Sequence, residues 1–488
     1  MMDWHTANVF RLVRKAADRF QEIDAKAIPI PHVEADPNLP TFELGGVEVA
    51  VSDDDIPVRP WVVKQYMILN NSWAPMNDFG DLWKDVTEAQ TVIVDTYGKY
   101  LPEPEVEWDD PSSDAALTRW AFAGLAAQRL ERTDDGGFVV RHGNMEKFAV
   151  REGLASYGGD AYFAEDGTPL RIHLQGKDVK PGDDGWEAAK FTFRSSGLTW
   201  TTLADHVGRC HLGFANALML ASRKCLPLAN PLRNFVAPFH YRTAAINNGA
   251  TLSLLPWGAL LHRTSGFSWD AMQDVYAEAF NDFRLERFDE ELKRKGVHPD
   301  DLPEGIDYAY GVEGLAYWRC LESFVNDSFA NSPAMATVLT DHRESTEAFW
   351  KAVSKYFGEE RELTESTLKD FLCAAFFCVS AYHSHVGSVS AYVRDPRFLA
   401  GKLWPDQTIA DKQSSAQLCM IACITGFKMP TIDSDFDHLM PCDATRECAK
   451  KYDDALHALQ AEMDERNAKR GQAFRSFEPA RVATSVAI

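Results

Sequence analysis

Residues 372–381, Leu-Cys-Ala-Ala-Phe-Phe-Cys-Val-Ser-Ala, are the most apolar run in the chain. The run falls far short of the roughly 20 residues that span a bilayer, so it reads as a helix buried on all sides in a protein core. Long helical periodicities surround it: Gly314–Phe329, Arg343–Tyr356, Glu365–Val393, Gln413–Ala422 and Asp443–Arg470. A chain built this way is mostly α. Its 488 residues allow two or three domains, or one large helical domain with a small appendage.

Charge and cysteine usage narrow the class. Lys plus Arg number 50 against 72 Asp plus Glu, a net charge of −22, which disfavours nucleic acid or an anionic membrane as partner. The nine cysteines form no CxxC pair, and Met1-Met2-Asp-Trp opens no signal peptide. Reduced thiols in a cytoplasmic protein are the expectation.

Ahead of the helical third the pattern is mixed. Residues 4–25 space Val9, Leu12, Val13, Ala16, Phe20 and Ile23 as one face of an amphipathic helix. Residues 27–59 carry prolines and the alternating Phe42-Glu-Leu-Gly-Gly-Val-Glu-Val, which predicts an extended arm or hairpin. Helical spacing returns through Trp61, Val62, Tyr66, Leu69, Ile93, Val94 and Tyr97, and Pro102–Pro111 is an acidic break. Ser113-Asp114 is a helix start, with the acid favourable at the positive N-terminal end. Val139–Leu174 has strand signals, including a turn at Glu165-Asp-Gly167, and predicts a small sheet. Ala244–Leu261, rich in small and apolar residues, suits a helix lining a cavity or packed in the core.

The stretch Trp200–Leu212, Trp-Thr-Thr-Leu-Ala-Asp-His206-Val-Gly-Arg-Cys-His211-Leu, carries two histidines five residues apart. On an ideal α-helix they lie about 140° apart. They share a face only if the helix is locally widened, as in a π-bulge, a feature that concentrates at functional sites. Otherwise one is a hydrogen-bonded core residue and the other faces solvent.

The segment Val379-Ser380-Ala381-Tyr-His383-Ser-His385-Val386-Gly387 resembles the lipoxygenase family's Ser-Ala-x-His-x-x-Val-Asn segment. Other landmarks follow in order. Ser113-Asp114 to Gly124-Leu125, Asp166-Gly-Thr-Pro-Leu170 with Ile172 and Leu174, and Ala189-Lys190 come first. Cys225-Leu-Pro227, Pro231, Pro238, Thr243, Ile246-Asn247, Gly314-Leu315, Trp318, Val325 and the final Ile488 complete the series. The match covers roughly residues 110–488, which leaves no room for the family's usual N-terminal β-barrel and points to a short form. It implies a mostly α, lipoxygenase-like helical catalytic domain over 111–488 with a small β-hairpin or sheet insertion. Residues 1–110 would be a helical and extended segment packed on it. It also implies non-haem iron bound by histidines of two helices and the terminal carboxylate, hydrogen abstraction from a pentadiene and addition of O2. Imidazole and carboxylate donors suit Fe(II) with positions left open for oxygen.

Two ligand positions depart from the family. Registering the first metal helix on Ala189-Lys190 and Cys225-Leu-Pro227 puts His206 on the family's second ligand, Thr201 on the first and His211 on a further, non-ligating histidine. Gly387 stands where Asn, Ser or His would ligate. His206, His383 and the Ile488 carboxylate then make a two-His-one-carboxylate site. The alternative register takes His206 and His211 together as ligands, at the cost of a five-residue slip. His385, two residues from His383, points about 200° away and is a core or supporting histidine. Ala250 and Leu254 fall on positions of the family's substrate pocket, and Thr201 and Gly387 border the same space. Arg242 and His240 could hold a substrate carboxylate or form an internal salt bridge.

Three functions are compatible with these residues. The first is a non-haem iron oxygenase acting with O2 on an apolar or polyunsaturated small molecule. The second is a divergent oxidative enzyme of a non-lipid specialised metabolite. The third is a metal-free binding protein on the same scaffold.

Overall fold

The structure is a computed structural model that describes residues 24–44, 47–51, 83, 85–97, 106, 108, 110–282, 284–357, 361–425, 429–471 and 473–487. The helix expected over 4–25 and the one carrying Trp61, Val62, Tyr66 and Leu69 lie outside these residues. The hairpin expected near Phe42 is present: β1 (Thr41–Leu44) pairs antiparallel with β2 (Val47–Ala50).

Ser113 caps the helix Asp114–Phe122, its hydroxyl accepting from the Ala116 N–H at 3.1 Å. The small sheet is present and extends beyond Val139–Leu174 at both ends. Five strands, β3 (Glu131–Arg132), β4 (Phe138–Arg141), β5 (Asp160–Phe163), β6 (Pro169–Leu174) and β7 (Lys177–Val179), form an antiparallel meander in sequence order. The β5–β6 turn is closed by Asp166, which accepts from the Thr168 N–H at 2.9 Å, and by Gly167 at φ +81°. Only glycine adopts that conformation without strain. Phe138 and Phe163 each meet the Phe122 ring edge-on, which seats the sheet against the helical body.

The helical body is built as the apolar run requires. Every residue from Phe371 to Ala381 is buried. The helix Glu365–Phe377 that holds most of the run packs against the long helix Ala309–Asn331, which in turn lies along Asp443–Arg470. Phe376 stacks on Phe239 with ring centroids 3.6 Å apart. The C-terminal long helix is mostly polar, so ion pairs help to fix it: buried Glu313 accepts from Arg466 and Arg470, each at 2.9 Å.

One expected helix is two. Ala244–Leu261 divides into Thr243–Ser253 and Leu260–Thr264. Pro256 has no N–H to continue the ladder, and Gly258 turns the chain at φ +70°. Among the described residues no helix is long and apolar enough to cross a membrane.

Candidate metal centre

The helix Trp186–Trp200 runs without interruption into a π-helix, Thr201–Ala215, and then into Asn216–Cys225. A π-turn closes with an i→i+5 bond, so residues five apart stack on one face. His206 and His211 are such a pair. Two glycines suit the widened helix, Gly208 by letting a neighbouring helix approach and Gly213 by relieving contact with the helix's own backbone. A Cβ on Gly208 would come within 3.0 Å of the Ala279 side chain on the helix Trp269–Asp282, and one on Gly213 within 3.1 Å of the Gly208 carbonyl.

A second, shorter π-helix, Cys378–Tyr382, follows Glu365–Phe377 and hands the chain to His383–Gly387. The two widened segments pack together. His383 Nε2 lies 3.0 Å from His206 Nε2 and 3.0 Å from His211 Nε2, and the last two are 3.2 Å apart. The second nitrogens differ: His211 Nδ1 faces Asn247 Oδ1 at 3.2 Å, while His383 Nδ1 is buried without a hydrogen-bond partner among the described residues. A carbonyl oxygen cannot donate, so His211 carries its proton on Nδ1 and turns the Nε2 lone pair inward. Burial lowers the pKa of His206 to about 4. Burial, followed by the neighbouring imidazoles His206 and His211, pushes that of His383 well down.

Three neutral imidazoles with converging nitrogens are a metal-binding donor set. One proton can bridge only two of the three nitrogens, so at least one lone pair is orphaned in a buried place. A cation resolves this, and imidazole suits iron, zinc, copper and nickel.

Charge surrounds the cluster without entering it. Asp205, next to His206, is fully buried and pairs with Arg129 at 2.8 Å and Arg209 at 2.9 Å. Burial would raise its pKa, yet the two guanidiniums outweigh that and hold it below the usual carboxylate range. Gln128 ties the first π-helix to the segment His383–Gly387. Its amide nitrogen faces Thr201 Oγ1 at 3.3 Å and Asp205 at 3.4 Å, and its carbonyl oxygen faces His385 Nε2 at 3.2 Å.

Known proteins are similar to this chain in sequence and in fold. The Lipoxygenase family model matches residues 170–384. A linoleate 9/13-lipoxygenase of Pseudomonas aeruginosa is 28% identical over 292 residues, 54% of this chain and 41% of that protein. Linoleate 9S-lipoxygenase B of Solanum lycopersicum is 24% identical over 294 residues, 55% of this chain and 33% of that one. The chain therefore matches well under half the length of either relative. Among solved structures, the coral 8R-lipoxygenase superposes with a TM-score of 0.72 at 16% identity, covering 98% of this chain and 80% of its own. The manganese lipoxygenase of Gaeumannomyces graminis does so at 0.70 and 12% identity, covering 100% and 99%.

The chain resembles lipoxygenases in sequence over residues 170–384 and has the lipoxygenase fold.

The structure bears on which residues of the first histidine helix come together. The flanking landmarks favour Thr201 and His206 as the ligand positions, but the structure brings His206 and His211 together, as the five-residue alternative has it. Thr201 is buried, with its hydroxyl against Gln128, and is not part of the histidine cluster. The two-His-one-carboxylate set becomes a three-His set among the described residues. Gly387 lies at the cluster: a Cβ there would sit 3.2 Å from His206 Nε2. Ile488 lies outside the described residues, though Val482, Ala483, Val486 and Ala487 are all buried. His385 is turned away from the cluster, its Nδ1 3.0 Å from Ser476 Oγ. His240 meets Ser222 Oγ at 3.1 Å, and Arg242, at φ +59°, reaches Met429 Sδ at 3.4 Å. Sequence reasoning passed over Asp205 and Gln128. Asn247 stood among the landmarks without a role.

Proposed function

We propose that this chain is a lipoxygenase-type oxygenase. In this reading His206, His211 and His383 hold non-haem iron, and O2 is added to an apolar, polyunsaturated substrate. The observation that carries the reading is the convergence of three Nε2 atoms within 3.2 Å of one another in a buried place. Iron bound there supplies the one-electron oxidation that abstraction of hydrogen from a pentadiene needs.

The chain's own groups then have definite tasks. Asn247 holds the His211 ring in the tautomer that offers Nε2. Ala250 stands three residues further on the same helix, on the face that Asn247 turns to His211, and with Leu254 it forms the wall against which the substrate packs. The Ile488 carboxylate is the anionic ligand that offsets the cost of burying metal charge. The placing of the tail supports this: the Ala483 N–H reaches Ser384 Oγ at 3.2 Å, one residue from His383. The Pseudomonas and Solanum relatives are named for linoleate, and that name supports the substrate class.

The test is metal per chain after anaerobic loading with Fe(II), followed by oxygen uptake with linoleate. We expect close to one iron, lost in His206→Ala and in a chain extended past Ile488, with oxygen consumed only by the loaded wild type. Preferential retention of manganese would replace iron with the metal named for the Gaeumannomyces enzyme. Iron no higher in the wild type than in His206→Ala would overturn the reading in favour of a binding protein.

A further inference from the structure

Gly387 is the last residue of the segment His383–Gly387, and its missing side chain faces the metal-facing nitrogen of His206. A Cβ built at that position would lie 3.2 Å from His206 Nε2, tighter than nine in ten real Cβ contacts, and at an ordinary 3.5 Å from Cε1. The neighbourhood is open in the same place. His211 and His383 are 5% and 4% exposed, whereas His206, Gly387 and Ser388 are all partly exposed. The most accessible edge of the cluster is therefore the edge with no side chain.

Glycine brings no donor of its own and removes the bulk that would bar another molecule's donor. We infer that the opening at Gly387 admits an oxygen donor of a bound small molecule to the metal beside His206. The substrate would then be an apolar body carrying an enolate, carboxylate or phenolate group. This rests on the metal-site reading above and deepens it by naming a substrate class. No bond is made or broken in this step. A lone pair of the ligand fills a position that a protein side chain leaves vacant.

The experiment uses the full chain loaded with Co(II), whose visible absorption reports coordination without any turnover, and sodium azide as the anionic probe. Cobalt per chain is measured first. Wild-type protein should show a saturable spectral change with azide. Gly387→Asn, which supplies both bulk and a donor, should weaken azide binding by at least about ten-fold and slow cobalt loss to a chelator. Gly387→Ala separates the two effects: its Cβ should weaken azide binding without slowing cobalt loss. Three fully loaded proteins that bind azide within about two-fold of one another would overturn the inference and leave the metal site standing. Wild-type protein that takes up no cobalt would overturn both.

Discussion

His383 and His385 are two residues apart on one segment, and their surroundings could hardly differ more. His385 has a partner for each ring nitrogen, Ser476 on one side and Gln128 on the other. His383 turns one nitrogen to two other imidazoles and leaves its second without a hydrogen bond among the described residues. Both are buried, and burial lowers the pKa of both. An imidazole with hydroxyl and amide partners is satisfied by the protein itself. One that faces only other imidazoles is left for a cation to satisfy, so partner chemistry, not burial, separates satisfied histidines from candidate ligands.

The largest expected effect tests the structural class. Burial holds His142, His240 and His385 down to about 3, far below the value near 6.5 of an unfolded chain. Between those values the unfolded chain binds protons that the folded one refuses. Stability is therefore complete above pH 6.5 and falls as the pH drops towards 3. Each histidine contributes a loss of about 2 kcal/mol between pH 6.5 and pH 5. Urea midpoints across that range measure the sum. His142, buried with neither ring nitrogen hydrogen-bonded among the described residues, isolates one share: His142→Leu should shrink the fall by about 2 kcal/mol. A fall unchanged by the substitution would mean that His142 is protonated in the native fold.

The next effect separates the neighbours directly. His385→Ala takes this partner from the Ser476 hydroxyl and the Gln128 carbonyl oxygen, opens a cavity and should cost about 2–4 kcal/mol of stability. It should keep metal retention within about ten-fold of the wild type. His383→Ala should reverse the pattern, with metal retention down by more than about 100-fold and a smaller loss of metal-free stability. Metal content by elemental analysis and urea melts of the apoprotein give the two readouts. Equal metal loss in both variants would break the comparison.

How much of this could be read in the sequence follows the same division. Local signals were legible. Ser113 caps its helix, Asp443–Arg470 has the bounds its periodicity gave, and Phe371–Ala381 is buried as its apolarity required. The five-residue spacing of His206 and His211 already required a widened helix for the two to meet, and the π-helix supplies it. The flanking landmarks did not bring His206 and His211 together, because landmarks fix chain order, not winding. Fifteen residues of π geometry carry the chain through fewer turns than an α-helix would. Gln128 left no signal, because its partner His385 is 257 residues away and a lone glutamine has no spacing to read. Ala244–Leu261 failed for a local reason: its apolar content outweighed Pro256 and Gly258, the two residues that break it.

The smallest effect asks whether the supporting network also positions the cluster. Gln128 joins Asp205, beside His206, to His385, beside His383, through one amide. Gln128→Leu keeps the bulk and removes the polar bridge, while Asp205 retains Arg129 and Arg209. The unpartnered His385 and Thr201 should cost about 1–3 kcal/mol, read from the urea midpoint. If the amide also holds the first π-helix in register with the segment His383–Gly387, metal retention should fall by about ten-fold although no ligand has changed. Gln128→Asn, with the same amide on a shorter stem, should recover little of either, because it cannot span both helices. A stability loss of the expected size with metal retention unchanged would show that the histidines are positioned by their own helices. Gln128 would then belong to the satisfied, structural side of the comparison.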